Sequence, residues 1–155
     1  MKGIEKILNT LNDQLADELT AVNQYIVHSE MCANWGLEKL HDAVEKRAIE
    51  EMKHAEILIA RILFLEGRPV VSKLNPMHIG GEVAEQLQND YLSEQGAVKS
   101  YNAAVQQAAS LGDNGTRTLF ESILKDEEEH IDWLEAQLDQ IRLMGSENYL
   151  AQQVG

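Results

Sequence analysis

Two four-residue segments hold side chains fit for metal chemistry: Glu51-Met52-Lys53-His54 and Glu127-Glu128-Glu129-His130. In a helix, Glu-x-x-His places a carboxylate and an imidazole one turn apart on a single face. Within the second segment only Glu127 and His130 fall on the stripe Thr116, Phe120, Ile123, Glu127, His130, Leu134, Leu138, Ile141. The first pair lies on a similar stripe of Leu40, Val44, Arg47, Glu51, His54, Leu58 and Leu65. An offset of 76 residues carries one pair onto the other, and also carries Glu18 onto Glu94 and Tyr25 onto Tyr101. This chemical repeat within otherwise dissimilar sequence predicts a pseudo-twofold axis. Each half would supply one lone Glu and one Glu-x-x-His.

Burying a bare carboxylate costs several kcal/mol or more, so core carboxylates are normally paired or bound to cations. Two divalent ions would neutralise Glu18, Glu51, Glu94 and Glu127, with His54 and His130 as neutral donors. An oxygen-rich, thiolate-free set suits iron or manganese and argues against structural zinc. The expected arrangement has Glu51 and Glu127 bridging two metals, Glu18 and Glu94 capping one each, and His54 and His130 completing one site each. A single Glu-x-x-His is weak, because acids and imidazoles share solvated helices by chance. The second copy, with its matching Glu and Tyr, makes the signal specific.

Asp90 and Asp126 lie near the ligands and are candidates to orient the His rings, although helical Asp is commonly just solvated. Tyr25 reads as a hydrogen-bond partner of a bridging carboxylate or as an electron donor, or more plainly as a core phenol with a satisfied hydroxyl. Met52 points about 100° away from Glu51 around the helix. It shares a second apolar face with Ala48, Ala55 and Ile59, which helix one matches with Leu19, Ile26 and Ala33. That side is expected to bury itself against another subunit. By residue type alone, Met52 reads as a gap-filler before it reads as a haem ligand.

Helices must position these groups. Helical periodicity runs from about residue 4 to 33, with Ile4, Leu8, Leu11, Leu15, Val22, Tyr25 and Cys32 inward and Glu18 interrupting them. Asn34-Trp35-Gly36 ends it, and a second helix runs from about 37 to 65. Between Gly67 and Gly81, Pro69, Pro76 and a Gly pair mark one long connection. A third helix spans about 82–111, with Val83, Leu87, Glu94, Val98, Tyr101, Val105 and Ala108 inward. After the turn Gly112–Gly115 a fourth spans 116–144, and Ser146 is expected to cap a short fifth helix reaching about residue 152. Short, long and short connections between helices of about 45 Å describe an all-α four-helix bundle with one crossover.

The composition agrees with one domain over residues 1–155: 44% of the chain is hydrophobic and 5% aromatic, with only two Pro. A net charge of −13 repels nucleic acid and anionic membranes and concentrates cations. The one cysteine, Cys32, excludes an intrachain disulfide or a Cys-x-x-Cys metal site. No signal-peptide pattern opens the chain and no apolar run approaches a membrane span, so a soluble cytoplasmic protein is expected.

Over nearly its whole length the chain resembles the bacterioferritins. The residues that carry the resemblance are the Met-Lys-Gly start, Asn23-Gln24-Tyr25, Asn34-Trp35-Gly36-Leu37, Glu51-Met52-Lys53-His54-Ala55, Arg61-Ile62-Leu63-Phe64-Leu65-Glu66-Gly67, the segment from Asp126 to Glu135, and Asn148-Tyr149-Leu150. The ligand set is also that of ferritin-like di-iron bundles. The resemblance implies a 24-subunit cage storing ferric mineral, a di-iron ferroxidase site in each bundle, and haem b between twofold-related subunits with Met52 as axial ligand. It implies oxidation of Fe(II) by dioxygen or hydrogen peroxide, with a reduced ferredoxin as electron donor for iron release. It further implies fourfold channels lined by the fifth helix through Asn148 and Gln152, and pore positions at Asn34, Glu66 and Asp132.

Glu45-Lys46-Arg47 departs from an aromatic, a His and an acid expected of many family members. An inner-surface iron site using a His at position 46 is therefore not carried over, the aromatic wall of a haem pocket is lost at 45, and Arg47 brings a cation toward the metals. Rival readings are a di-iron or di-manganese peroxidase resembling rubrerythrin or manganese catalase, and a haem-binding cage with an inert bundle site. A rubrerythrin would need a four-cysteine module, which one cysteine cannot supply. A DNA-binding mini-ferritin is disfavoured by the charge and by a ligand set complete within one chain.

Overall fold

Long segments rich in Ala, Leu, Glu and Gln, with few helix breakers, form five helices in a computed structural model that describes Met1–Gly155. They are α1 Glu5–Asn34, α2 Glu38–Phe64, α3 Val83–Ser110, α4 Asn114–Met144 and α5 Ser146–Ala151. No strand occurs. Helices α1 and α2 pair along their lengths, as do α3 and α4, while α1 against α3 joins the two hairpins and α2 barely meets α4. Gly36, at φ 79°, closes the first hairpin in a conformation that a β-carbon would strain. The result is a ferritin-like four-helix bundle with one crossover and a short terminal helix. No helix is long and apolar enough to cross a membrane.

Two apolar clusters fill the bundle. One gathers Ile7, Leu11, Leu15, Leu58, Ile62, Phe120 and Ile123; the other gathers Tyr25, Leu40, Val44, Leu87, Leu134 and Tyr149. Each large apolar side chain so buried contributes about 1.5–3 kcal/mol. Along every long helix the acidic and imidazole positions fall between the two clusters, so apolar plugs on both sides offset the desolvation of a polar layer. Arg61 fastens the first plug, its Nε bonding Thr116 Oγ1 at 3.0 Å and its Nη2 bonding Asp113 Oδ1 at 3.1 Å. Asp113 in turn caps α4 by accepting from Thr116 N at 3.0 Å.

The crossover lies on α1 because its backbone donors have nowhere else to go. Val70 N bonds Asn12 Oδ1 at 2.8 Å, Asn75 N bonds Thr20 Oγ1 at 2.8 Å, and His78 N bonds Gln24 Oε1 at 3.0 Å. Gly80 N bonds His28 Nε2 at 3.1 Å. Because that nitrogen accepts, the ring proton is on Nδ1, which donates to Asp90 at 2.9 Å. A side chain at position 80 would come within 2.5 Å of the Gln86 backbone nitrogen, which requires glycine there.

Four sequence expectations are corrected. Ile4 precedes the first turn and is exposed; Ile7 is the fully buried residue, because α1 starts at Glu5 and its stripe begins one turn later. Ser146 is the first residue of α5, not its cap; Gly145 takes that place and no side chain caps the helix. Ala48 and Ala55 do not belong to an outward face: both are buried within the chain, as small residues where helices approach closely. Leu19 and Ile59 likewise pack against the first apolar cluster.

Candidate metal centre

Helical phase delivers Glu18 from α1, Glu51 and His54 from α2, Glu94 from α3, and Glu127 and His130 from α4 into one layer, none of them more than 3% exposed. Two groups with ligand atoms close enough to share an ion result: Glu18, Glu51, His54 and Glu127, and Glu51, Glu94, Glu127 and His130. Glu51 and Glu127 belong to both, the positions expected of bridging carboxylates. His54 Nδ1 lies 2.9 Å from Glu127 Oε1, and His130 Nδ1 lies 2.9 Å from Glu51 Oε1.

The hydrogen bonds that the ligands do make select which atoms remain free. Tyr101 Oη donates to Glu18 Oε1 at 2.6 Å, and Tyr25 Oη donates to Glu94 Oε1. Each tyrosine thus holds the carboxylate of the opposite half and leaves its Oε2 inward. His54 Nε2 meets Asp126 Oδ2 at 2.9 Å and His130 Nε2 meets Glu50 Oε2 at 2.5 Å, leaving both Nδ1 atoms inward. Eight buried side-chain nitrogen or oxygen atoms lack a hydrogen-bond partner. Gln14 Oε1 is one; the rest are Glu18 Oε2, Glu51 Oε1, His54 Nδ1, Glu94 Oε2, both oxygens of Glu127 and His130 Nδ1. Native proteins rarely tolerate such a cluster, and its members are all good ligands for a hard divalent cation.

Crowding of carboxylates and imidazoles away from water shifts their titration. Burial, then the charges of Glu18 and Glu94, push Glu51 well above the usual carboxylate range; burial, then Glu94 and Glu51, do the same to Glu127. Burial also acts to raise Glu94, but its contacts with Glu127, His130 and Tyr25 outweigh it and leave this carboxyl lowered. His54 and His130 are held above the ordinary imidazole value: burial opposes this, and contact with Glu127, Glu18 and Glu51 in one case and Glu94 in the other prevails.

A cavity of about 480 Å³ opens between α1, α3 and the crossover. Its lining includes Asp17, Asn75, His78 and Asn89 as well as Glu18, Glu51, Glu94 and Glu127. Asp17, raised by burial, is fixed by Asn75 Nδ2 at 2.5 Å.

Of the residues weighed from sequence, Asp126 does face a ligand His. Asp90 does not; it binds His28 and Gln24, the latter at 2.8 Å, and so supports the crossover. Tyr25 reaches Glu94, a terminal carboxylate, and no bridging one. Arg47 touches none of the six ligands; its Nη1 pairs with Glu50 Oε2 at 3.0 Å and its guanidinium lies 5.5 Å from the Trp133 ring centre. Glu50 was missed by sequence reasoning, yet the same 76-residue offset that pairs the ligands pairs Glu50 with Asp126. Met52 is 45% exposed, one turn from Ile49 at 42% on α2, and Ile26 of α1 is exposed at 47%.

Comparison with known proteins agrees with this geometry. The ferritin-like domain family matches residues 8–144. A bacterioferritin of Rhodobacter capsulatus is 42% identical over 149 residues, 96% of this chain and 92% of that protein. One from Brucella melitensis is 43% identical over the same shares, and one from Mycolicibacterium paratuberculosis is 41% identical over 98% of this chain and 96% of its own.

Proposed function

Since the chain belongs to the bacterioferritins, a family of iron-storing ferritin-like proteins, we propose that it oxidises Fe(II) at the centre of its own bundle and delivers ferric mineral to the interior of a 24-subunit cage. The observation that carries this reading is the set of buried, unpartnered ligand atoms on Glu18, Glu51, His54, Glu94, Glu127 and His130. Four carboxylates match the charge of two ferrous ions, and Glu51 and Glu127 stand in reach of both positions.

Two ferrous ions held together give up one electron each to a single dioxygen or peroxide molecule, which is the chemistry the pair supplies. The protein fixes the partners. The cavity between α1, α3 and the crossover gives substrate ions a path lined by Asp17, Glu18 and Glu94. Tyr101 and Tyr25 hold one oxygen of Glu18 and Glu94 and so aim the other. Asp126 and Glu50 fix the ring orientation of His54 and His130 and strengthen their inward nitrogens as donors. Because Glu51, Glu127 and the two imidazoles are all shifted toward their protonated forms, loading with cations competes with protons.

The family places haem b between paired subunits, and the exposure of Met52 and of Ile49 one turn away on α2 supports that placement. Met52 would hold it from each side, and its role there is electron delivery for iron release, from a donor such as a reduced ferredoxin. The exposed Asn148 and Gln152 of the terminal segment suit a channel between subunits.

Stopped-flow Fe(II) oxidation tests the central site. Wild-type protein is expected to show a fast phase that Glu127→Ala abolishes; an unchanged initial rate in that variant overturns the assignment. For haem, Met52→Leu is expected to lose the bis-thioether spectrum after reconstitution, and an unaltered spectrum overturns the ligation.

A further inference from the structure

The repeat that builds the centre is broken at one position beside a ligand. Arg47 stands where the other half carries Ile123, which is 1% exposed in the first apolar cluster. Arg47 Nη1 lies 3.0 Å from Glu50 Oε2, and that same oxygen lies 2.5 Å from His130 Nε2. Asp126, the counterpart of Glu50, meets His54 Nε2 at 2.9 Å and has no Lys or Arg within ion-pair distance. The two acids therefore act unequally. Asp126, whose side chain is half open to solvent, meets His54 alone among charged groups, whereas Glu50 is shared between His130 and a guanidinium that lies over Trp133.

An acid behind a ligating imidazole increases its strength as a donor, and a cation behind that acid takes part of the effect away. The half-site on the other side meets no such charge, since position 123 is apolar. Arg47, Trp133 and His130 further line one small space of about 10 Å³, so the guanidinium sits on the His130 side of the bundle while its pair with Glu50 stays partly open to solvent.

We propose that Arg47 is a positioning residue that makes the two metal subsites unequal, acting through Glu50 and His130, so that the first divalent cation settles on the His54 side and the second is held more weakly on the His130 side. This rests on the di-metal reading of the bundle and adds an order of filling.

Co(II), which air does not oxidise at such a site, serves as the probe. Full-length protein is titrated with Co(II) by visible absorption, and crystals prepared at one Co(II) per chain are measured for anomalous scattering. The wild type is expected to show its cobalt peak beside Glu18 and His54, with the second dissociation constant well above the first. Arg47→Ile is expected to tighten the second step about tenfold, to leave the first within about threefold, and to spread the single cobalt over both positions. Arg47→Lys, which keeps the charge, is expected to retain the wild-type order. Equal occupancy in the wild type, a first peak at His130, or an Arg47→Ile titration matching the wild type overturns the inference while leaving the di-metal reading intact. An Arg47→Lys protein behaving like Arg47→Ile overturns the charge argument. No cobalt between the helices in any variant refutes the di-metal reading itself.

Discussion

Burial and neighbouring carboxylates shift Glu51 and Glu127 toward their protonated forms, and the same carboxylates, against burial, shift His54 and His130 the same way. Every one of these groups binds its proton more tightly than in the unfolded chain, so metal binding must expel protons and its affinity must rise with pH. Co(II) titrated into weakly buffered protein at neutral pH is expected to release about one proton or more per ion, and to bind more weakly as the pH falls; a pH-independent affinity contradicts the proton assignment. The tyrosines sharpen the same centre. Replacing Tyr101 with Phe strands Glu18 Oε1 and frees the carboxylate to turn, so Co(II) affinity is expected to fall by about tenfold, with helical content unchanged by circular dichroism. The convergence of the six buried acid and imidazole side chains was legible in the sequence because helical phase separates them from their acidic neighbours. Glu50 was not, since an acid beside Glu51 looks solvated until His130 is placed against it. Arg47 was read as a cation near the metals; what hides in one dimension is that Glu50 and Trp133 hold it one contact away.

At the scale of elements, the crossover is held by α1 side chains and not by any structure of its own. Asn12, Thr20, Gln24 and His28 accept its backbone donors along one face of the helix. Gly80 sits at the tightest point, 2.5 Å from a backbone nitrogen if given a β-carbon. Gly80→Ala is expected to destabilise the metal-free chain by about 1–3 kcal/mol, lowering Tm by about 2–4 °C per kcal/mol in a chain of this size; an unchanged melting curve shows that the segment yields. Helix boundaries, hairpin turns and the single crossover followed from periodicity and glycine placement. The first turn of α1 did not, because Ile4 fits the apolar spacing but precedes the helix, where nothing covers it. The fastening of the crossover was also invisible, since residues 67–81 have no period and their partners are scattered polar residues of a helix read only for its apolar stripe.

For the molecule as a whole, the bundle places a layer of unpartnered ligands between two apolar plugs and leaves the Met52 face bare. The first feature makes the protein most stable when loaded: Co(II) is expected to raise Tm, and a chelator to reverse it, because the ions bind the folded chain alone. The second leaves Ile26, Ile49 and Met52 in water within one chain, a face that assembly would cover. That side of the chain was legible only in part. Ala48 and Ala55 looked outward by helical phase, but the close approach of neighbouring helices buries them, and the exposed patch is narrower than the spacing suggested. Storage, and not merely redox chemistry, is the claim on which the functional reading stands. Purified protein is loaded with Fe(II) without oxygen, then exposed to air while particle size and iron content are followed. Storage predicts a large oligomer that retains hundreds of irons or more; uptake that stops at two per subunit contradicts it.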